Sequence, residues 1–218
     1  MEFLIEWYYF FKDLINPEVL AKGGLITLVL VIFAETGLMI GFFLPGDSLL
    51  FTAGLLCSSG VLEVSFPVLL ISLIIAAILG DQTGYYIGRQ MGDKLFKKEE
   101  SWFFKPKYVQ KTKEFYDRHG GKAIVLGRFV PIVRTFAPMI AGVAKLEYKT
   151  FVFYNVSGGI IWITSMLTAG YLLVQWIPGI KSYIHLVILL IIFLSIIPII
   201  TTYISERKLA KQQKENNL

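Results

Sequence analysis

The sequence predicts an all-α integral membrane protein, on three observations. Of its 218 residues, 55% are hydrophobic and 17% are charged, whereas an average soluble domain carries about 25% charged residues. The mean hydropathy is +0.63. The apolar residues are concentrated in segments, and about 20 such residues in a helix cross the ~30 Å hydrocarbon core of a bilayer. These segments are residues 25–44, 65–79, 151–176 and 183–204.

The pattern along the chain predicts one membrane domain, residues 1–218. An aromatic and acidic N-terminus predicts an interfacial helix instead of a cleaved signal peptide. Basic residues outnumber acidic ones ten to five over residues 89–122 and four to two over the tail. This places both segments in the cytoplasm, so nucleic-acid binding is not needed to explain them. The expected parts are an interfacial helix (1–23), a first repeat (24–92), a cytoplasmic basic segment (93–122), a second repeat (123–176), a last transmembrane helix (177–204) and a basic cytoplasmic tail (205–218).

The first repeat opens with a broken apolar run. Residues 25–44 could span the membrane, yet Pro45-Gly46 and a run too short to span, 49–56, follow at once. Proline lacks an N–H and disfavours helix in the residue before it. We therefore expect a helical hairpin that enters and leaves on one side, or a broken helix. The next span, 64–88, places glycines 80, 84, 88 and 92 on one face, where another helix can approach closely.

The second repeat has the same order of parts. Pro131 and Pro138 interrupt residues 123–144, which predicts a second hairpin that does not cross, and a span over 151–176 follows. Two dipeptide pairs recur: Ala53-Gly54 with Gly84-Tyr85 in the first half, and Ala141-Gly142 with Gly170-Tyr171 in the second. Copies whose spans cross in opposite directions form an inverted repeat, which places a binding site near the middle of the bilayer.

Five ionisable residues lie in the apolar regions: Glu35, Asp47, Asp81, Arg128 and Arg134. An unpaired charge at the bilayer centre costs about 2.5–3.5 kcal/mol, so we expect these groups to pair, face water or be neutral. Fully ionised they sum to −1, which suggests that one carboxyl carries a proton in part of a cycle. Glu35, with the most apolar flanks, is the first candidate for proton coupling, and Asp81 supports it. Asp47, about 18 Å from Glu35 if the run between them is helical, is the expected arginine partner and a second proton-coupling group.

The two arginines suit an anionic ligand. A guanidinium stays charged, and its fork of N–H groups matches a phosphate. Pro131 lies between Arg128 and Arg134 and lets both converge. The alternative is that they only form salt bridges that close the two hairpins on each other. Asn155 and Trp162 are interpreted as helix-packing residues and membrane-interface anchors.

Several kinds of site are not expected. Cys57 is the single cysteine, which excludes an internal disulfide and a multi-cysteine metal site. The two histidines, His119 and His185, lie away from the arginine stretch, which disfavours a membrane enzyme that needs a histidine base. We interpret His119 as an exposed helix end and His185 as an interface residue. No cofactor and no metal are expected.

Several motifs resemble the bacterial DedA family of inner-membrane proteins, over about residues 25–175. They are Phe43-Leu44-Pro45-Gly46-Asp47, then Gly80-Asp81 with Gly84-Tyr85, then Arg128-Phe129 with Pro131, Arg134, Pro138 and Ala141-Gly142, and finally Phe151, Asn155, Gly158 and Trp162. The resemblance implies two opposed re-entrant hairpins. It also implies translocation of a lipid, either polyprenyl (undecaprenyl) phosphate or a phospholipid, with proposed coupling to the proton gradient. The acidic and arginine positions of the family carry over to Glu35, Asp47, Arg128 and Arg134, with Asp81 in support.

The leading hypothesis is a multi-pass transporter of the bacterial inner membrane with its C-terminus in the cytoplasm. Arg128, Arg134 and Asp47 would bind the anionic lipid, and protons would drive its transfer. A proton- or cation-coupled carrier of a small solute is the alternative. A structural assembly factor would tolerate Arg128→Lys, which phosphate recognition would not. The expected partners are membrane lipids and protons but no nucleic acid, and the sequence leaves open whether the chain forms a homo-oligomer.

Overall fold

The computed structural model describes residues 17–38, 46–95, 122–129 and 131–177, together with positions 118, 120 and 179. Among these residues every regular element is a helix, and they are named here in chain order: α1 (Pro17–Gly37), α2 (Gly46–Ser59), α3 (Phe66–Leu95), α4 (Lys122–Gly127), α5 (Pro131–Val143) and α6 (Tyr148–Trp176). The all-helical fold class is therefore confirmed for this part of the chain. Most of the predicted interfacial helix, the basic segment 96–117, both histidines, the last predicted span 183–204 and the basic tail lie outside the described residues.

Among the described residues, two helices are long and apolar enough to cross a membrane. They are the 25 residues Phe66–Gln90 of α3 and the 29 residues of α6, and they match the spans expected over 64–88 and 151–176. Helix α3 continues to Leu95 instead of ending near Gly88. Gly88 does not end the helix, because this glycine packs against α5, and that tertiary contact outweighs its low helix propensity.

Each half begins with two helices separated by a break. Helix α1 ends at Gly37 and α2 begins at Gly46, while α4 ends at Gly127 and α5 begins at Pro131. Pro131 fits this position because the first residue of a helix needs no N–H partner. Helix α1 already begins at Pro17, so the expected boundary between residues 23 and 24 lies inside a continuous helix. Pro138 lies within α5 and does not end it.

The second short helix of each half packs along the long helix of the other half. Helix α2 lies along α6, and α5 lies along α3. The larger apolar cluster joins α1, α2, α3 and α6 through fully buried side chains: Ile32, Leu50, Leu55, Leu69, Leu73, Ile163 and Leu167. The smaller cluster joins α3 to α4, α5 and α6 through Tyr85, Ile124, Ala141 and Phe151. Because both clusters draw on both halves, the two halves of the chain share their core.

Glycines bring the backbones of these crossed pairs into direct contact. A methyl group on Gly54 of α2 would lie 2.0 Å from the Leu167 carbonyl oxygen of α6. A methyl group on Gly142 of α5 would lie 2.0 Å from the Tyr85 carbonyl oxygen of α3. Any side chain at Gly54 or Gly142 would therefore push the paired helices apart.

The same contacts define the register of the repeat. A methyl group on Gly170 would approach the Phe51 carbonyl oxygen to 1.9 Å, and one on Gly88 would approach the Met139 carbonyl oxygen to 2.0 Å. Phe51 stands three residues before Gly54, and Met139 stands three residues before Gly142. Gly170 and Gly88 therefore make equivalent contacts, and Gly88 is the counterpart of Gly170. The sequence match of Gly84-Tyr85 with Gly170-Tyr171 was thus wrong by one helical turn. Glycines spaced every four residues offer several registers, and packing selects one of them.

Candidate functional site

Arg134 joins three helices through two carboxylates. Its Nη2 donates to Glu35 Oε1 of α1 at 2.8 Å, and its Nη1 donates to Asp47 Oδ1 of α2 at 2.7 Å. Glu35 and Arg134 are 2% and 6% exposed, whereas the Asp47 side chain is 43% exposed. The Asp47 side chain therefore gives this buried group its contact with the surroundings.

The sequence predicted Glu35 and Asp47 to lie about 18 Å apart along a continuous helix. In the structure, both carboxylates bond to the guanidinium of Arg134. The separation is lost because α1 ends at Gly37, two residues after Glu35, and α2 begins at Gly46, beside Asp47. Asp47 is the arginine partner that the sequence predicted, and Glu35 is a second partner of the same arginine.

The carboxylate of Glu35 also lies against the start of α2. The backbone N–H of Gly46 faces this carboxylate, and a methyl group on Gly46 would lie 1.8 Å from Glu35 Oε2. Oε2 itself has no hydrogen-bond partner among the described residues. The positive end of the helix dipole at this position favours a negative charge. Gly46 thus provides the space that lets a carboxylate of α1 approach the α2 backbone.

Arg128 forms a second group in the break between α4 and α5. Its Nη2 donates to Asp81 Oδ2 of α3 and, at 2.6 Å, to Asn155 Oδ1 of α6. Asn155 in turn donates from Nδ2 to the Ile78 carbonyl oxygen at 3.2 Å. The Arg128 side chain is 2% exposed and lies against Gly158, where a methyl group would be 3.2 Å from its Cδ and Nε. Glycine at that position leaves room for the arginine.

Trp162 lies between the two groups. Its Nε1 donates to Asp47 Oδ1 at 2.7 Å. Its ring centroid is 4.8 Å from the guanidinium carbon of Arg134 and 5.7 Å from that of Arg128, distances at which a cation is attracted to an aromatic face. The two arginines therefore converge on one indole ring.

Sequence reasoning missed two members of this site. Asn155 and Trp162 were interpreted as helix-packing residues and membrane-interface anchors, but both are fully buried and bonded to the charged residues. A signal was present: Asn155, Gly158, Gly159 and Trp162 are spaced three, four and seven residues apart, which places them on one face of a helix. That face combines a hydrogen-bonding amide, an indole N–H donor and two glycines that leave space.

All five ionisable residues selected from the sequence thus belong to one network around Trp162, and all of them except Asp47 are buried. It carries three carboxylates and two guanidiniums, with a formal charge of −1. Five of its buried atoms have no hydrogen-bond partner among the described residues: Glu35 Oε2, Asp81 Oδ1, Arg128 Nε and Nη1, and Arg134 Nε. Within the described part of the chain, the network therefore has free acceptors and donors and an unbalanced formal charge. Among the described residues no cluster of three His, Cys, Asp or Glu side chains is arranged to hold a metal ion.

Comparisons with known proteins are consistent with this architecture. The VTT domain model matches residues 44–172, a range that contains every site residue except Glu35. The chain is 42% identical over 201 residues to Protein DedA of Escherichia coli K12, covering 91% of both chains. It is 34% identical over 169 residues to the inner membrane protein YqjA of the same organism, covering 77% of this chain and 74% of YqjA.

A third relative has a name that states only its location. The chain is 44% identical over 171 residues to the uncharacterized membrane protein Rv0364 of Mycobacterium tuberculosis H37Rv, covering 78% of this chain and 74% of that relative. No solved structure matches the chain. The match to the VTT domain model and the high coverage of the relatives agree with the motifs and with the two membrane-length helices. The chain therefore belongs to the DedA family and is a membrane protein.

Proposed function

We propose that this protein is a transporter that moves an anionic lipid between the two leaflets of the inner membrane, coupled to the proton gradient. Polyprenyl phosphate is the first candidate substrate, and a phospholipid is the second. One observation carries the proposal: Arg128 and Arg134 are buried near the breaks of the two helix pairs, and both keep N–H donors that have no partner among the described residues. A guanidinium with free donors in an apolar setting is suited to a phosphate.

The proposed binding step is an exchange of anions on the arginines. Without substrate, Glu35 and Asp47 neutralise Arg134, and Asp81 neutralises Arg128. A lipid phosphate that reaches the guanidiniums replaces one or more of these carboxylates. Its acyl or prenyl chain stays in the surrounding lipid, so only the head group crosses the protein.

Charge balance links this exchange to protons. The network already carries a formal −1, and a phosphate adds at least one more negative charge. Burying that excess in a low-dielectric region is costly, so a displaced carboxylate takes up a proton. Glu35 is the proposed proton carrier, because it is buried and its Oε2 has no hydrogen-bond partner among the described residues. Asp47 is the more exposed entry point, and Asp81 is a further coupling group.

The proposed membrane topology follows the repeat. Helices α1 and α2 form a hairpin that enters and leaves from one side, and α4 and α5 form its opposed counterpart. Helix α3 crosses inward and α6 crosses outward. The contacts of α2 with α6 and of α5 with α3 support a crossed arrangement of the two halves, and we propose that the site lies near mid-membrane, where inverted repeats place their sites. The predicted last span then returns the C-terminus to the cytoplasm.

One observation favours the alternative of a proton- or cation-coupled carrier of a small solute. Both arginines are almost fully buried, at 2% and 6% exposure. A small anion would need a smaller movement of the hairpins than a lipid head group. Uptake of inorganic phosphate into vesicles by the same protein would support that alternative.

The test is leaflet exchange in proteoliposomes. A fluorescent polyprenyl phosphate is incorporated, and a membrane-impermeant reductant quenches the label in the outer leaflet only. We expect exchange above that of protein-free vesicles, faster with an imposed proton gradient, and none for the uncharged polyprenol with the same chain. Folded protein that exchanges neither polyprenyl phosphate nor a phospholipid would refute the proposal.

A further inference from the structure

Trp162 contacts three of the five charged residues of the site: Asp47, Arg128 and Arg134. Its indole N–H bonds to Asp47 of α2, and its ring faces Arg134 of α5 and Arg128 of the break before α5. Glu35 of α1 and Asp81 of α3 are ion-paired with these two arginines. Trp162 is fully buried on α6, so no lipid or water contact explains an indole at this position.

We propose that Trp162 is the positioning residue that holds both guanidiniums at one phosphate-binding site and joins their ion pairs into one unit. This inference rests on the proposed function. It adds to that function by assigning a role to a residue that carries no charge and contacts the charged groups of both repeats.

The chemistry of the ring supports this role. Two like charges only six residues apart repel each other, and each guanidinium also has a carboxylate that pulls it toward a different helix. The negative face of an indole attracts a cation without supplying a charge or competing for its N–H donors. A carboxylate in the same place would occupy the donors that a phosphate needs. An aromatic ring therefore holds the arginines, and within the described part of the chain Nε of both and Nη1 of Arg128 have no hydrogen-bond partner.

The indole N–H adds a second function. Asp47 Oδ1 accepts from both Arg134 and Trp162. When a phosphate replaces Asp47 on Arg134, the carboxylate keeps one hydrogen bond to the protein. Asp47 is thus retained beside the arginine and can return to it when the phosphate leaves.

The test of the ring uses fluorinated tryptophans. Trp7, Trp102 and Trp176 are replaced by Phe, so that Trp162 alone takes up tryptophan with one to four fluorines. Fluorine weakens the cation attraction of the ring with little change in shape. We expect the lipid concentration for half-maximal exchange to rise stepwise with each fluorine, and about two- to thirtyfold for Trp162→Leu. Trp162→Phe keeps a ring but loses the N–H. We expect its lipid concentration for half-maximal exchange to lie between those of the wild type and Trp162→Leu.

A second measurement does not depend on transport. Melting temperatures are determined for Trp162→Leu, Arg134→Gln and the double variant, and for the same cycle with Arg128→Gln. We expect both cycles to be non-additive, because each pair is in contact. Trp176→Leu is the matched control: it lies on the same helix, is 76% exposed and should combine additively with either arginine variant.

The outcomes separate the inference from the function it rests on. Exchange that is indifferent to fluorination, with intact exchange by the unmodified protein, overturns the positioning role and leaves the lipid-transport proposal standing. Additive melting cycles at Trp162 also overturn it. If wild-type protein exchanges no lipid but both cycles are non-additive, the proposed function fails and the ring joins the two ion pairs for another purpose.

Discussion

Replacing Arg134 with lysine should destabilise the protein although the charge is kept. The guanidinium uses two separate nitrogens for two carboxylates: Nη1 for Asp47 at 2.7 Å and Nη2 for Glu35 at 2.8 Å. A lysine carries its three donors on one nitrogen at the end of a shorter stem, so it lacks the two separate nitrogens that reach the two carboxylates. Asp47 keeps the Trp162 N–H and is 43% exposed on its side chain. We therefore expect Glu35, which is buried, to lose its partner.

The size of the effect follows from the burial of Glu35. Leaving a buried carboxylate without its charged hydrogen bond costs about 3 kcal/mol. For a chain of this length, that loss corresponds to a fall in Tm of roughly 6–12 °C. The Tm is measured in detergent by circular dichroism. Adding Glu35→Gln removes the stranded charge, so the double variant should recover most of the loss.

The matched control is Arg89→Lys. Arg89 is exposed, and its Nη1 donates to the Tyr85 hydroxyl at 3.0 Å, so its replacement should change the free energy of unfolding by less than about 0.5 kcal/mol. If Arg134→Lys has the same Tm as the wild type, the bridge from Arg134 to the two carboxylates does not contribute to stability. A double variant less stable than Arg134→Lys would show that Glu35 is not the stranded group.

Three further predictions concern coupling, packing and topology. Glu35→Gln mimics a protonated carboxyl, so lipid exchange should lose its dependence on an imposed proton gradient, and exchange that keeps the full dependence would exclude Glu35 as proton carrier. Gly54→Ala, whose methyl group meets a carbonyl oxygen at 2.0 Å, should cost about 3 kcal/mol in thermal melts. Gly84→Ala is its control, because the nearest atom would be at 3.4 Å, and an equal loss from both would contradict the crossed packing. With the native cysteine replaced by serine, Glu63→Cys should react with an impermeant maleimide from the outside and Lys145→Cys from the cytoplasm, and labelling of both from the same side would contradict the inverted topology.

Much of the fold could be predicted because apolar length and helix breakers act locally. The two long helices occur where the apolar runs placed them, and each half has a break near the proline that predicted it. The register of the repeat could not be predicted in the same way. Gly84 and Gly88 are equally small, and only the approach of Met139 selects Gly88 as the counterpart of Gly170.

The charged members of the site could be identified because a membrane segment retains few ionisable residues without a use. The sequence did not indicate which acid would pair with which arginine, since the pairs connect residues 47, 87 and 99 positions apart. Such pairings depend on how the helices cross. Trp162 was missed for a related reason: tryptophan is common at membrane interfaces, and only tertiary packing shows that this ring faces two arginines.

The most direct test removes one arginine without unbalancing the network. Arg128→Gln combined with Asp81→Asn takes out one positive and one negative charge, so the formal charge stays at −1. Because both charges leave together, we expect a folded protein that melts within a few degrees of the wild type. In the proteoliposome assay this variant should lose exchange of labelled polyprenyl phosphate. Exchange at the wild-type rate by this folded variant would mean that Arg128 serves only to close the hairpins and does not bind the phosphate.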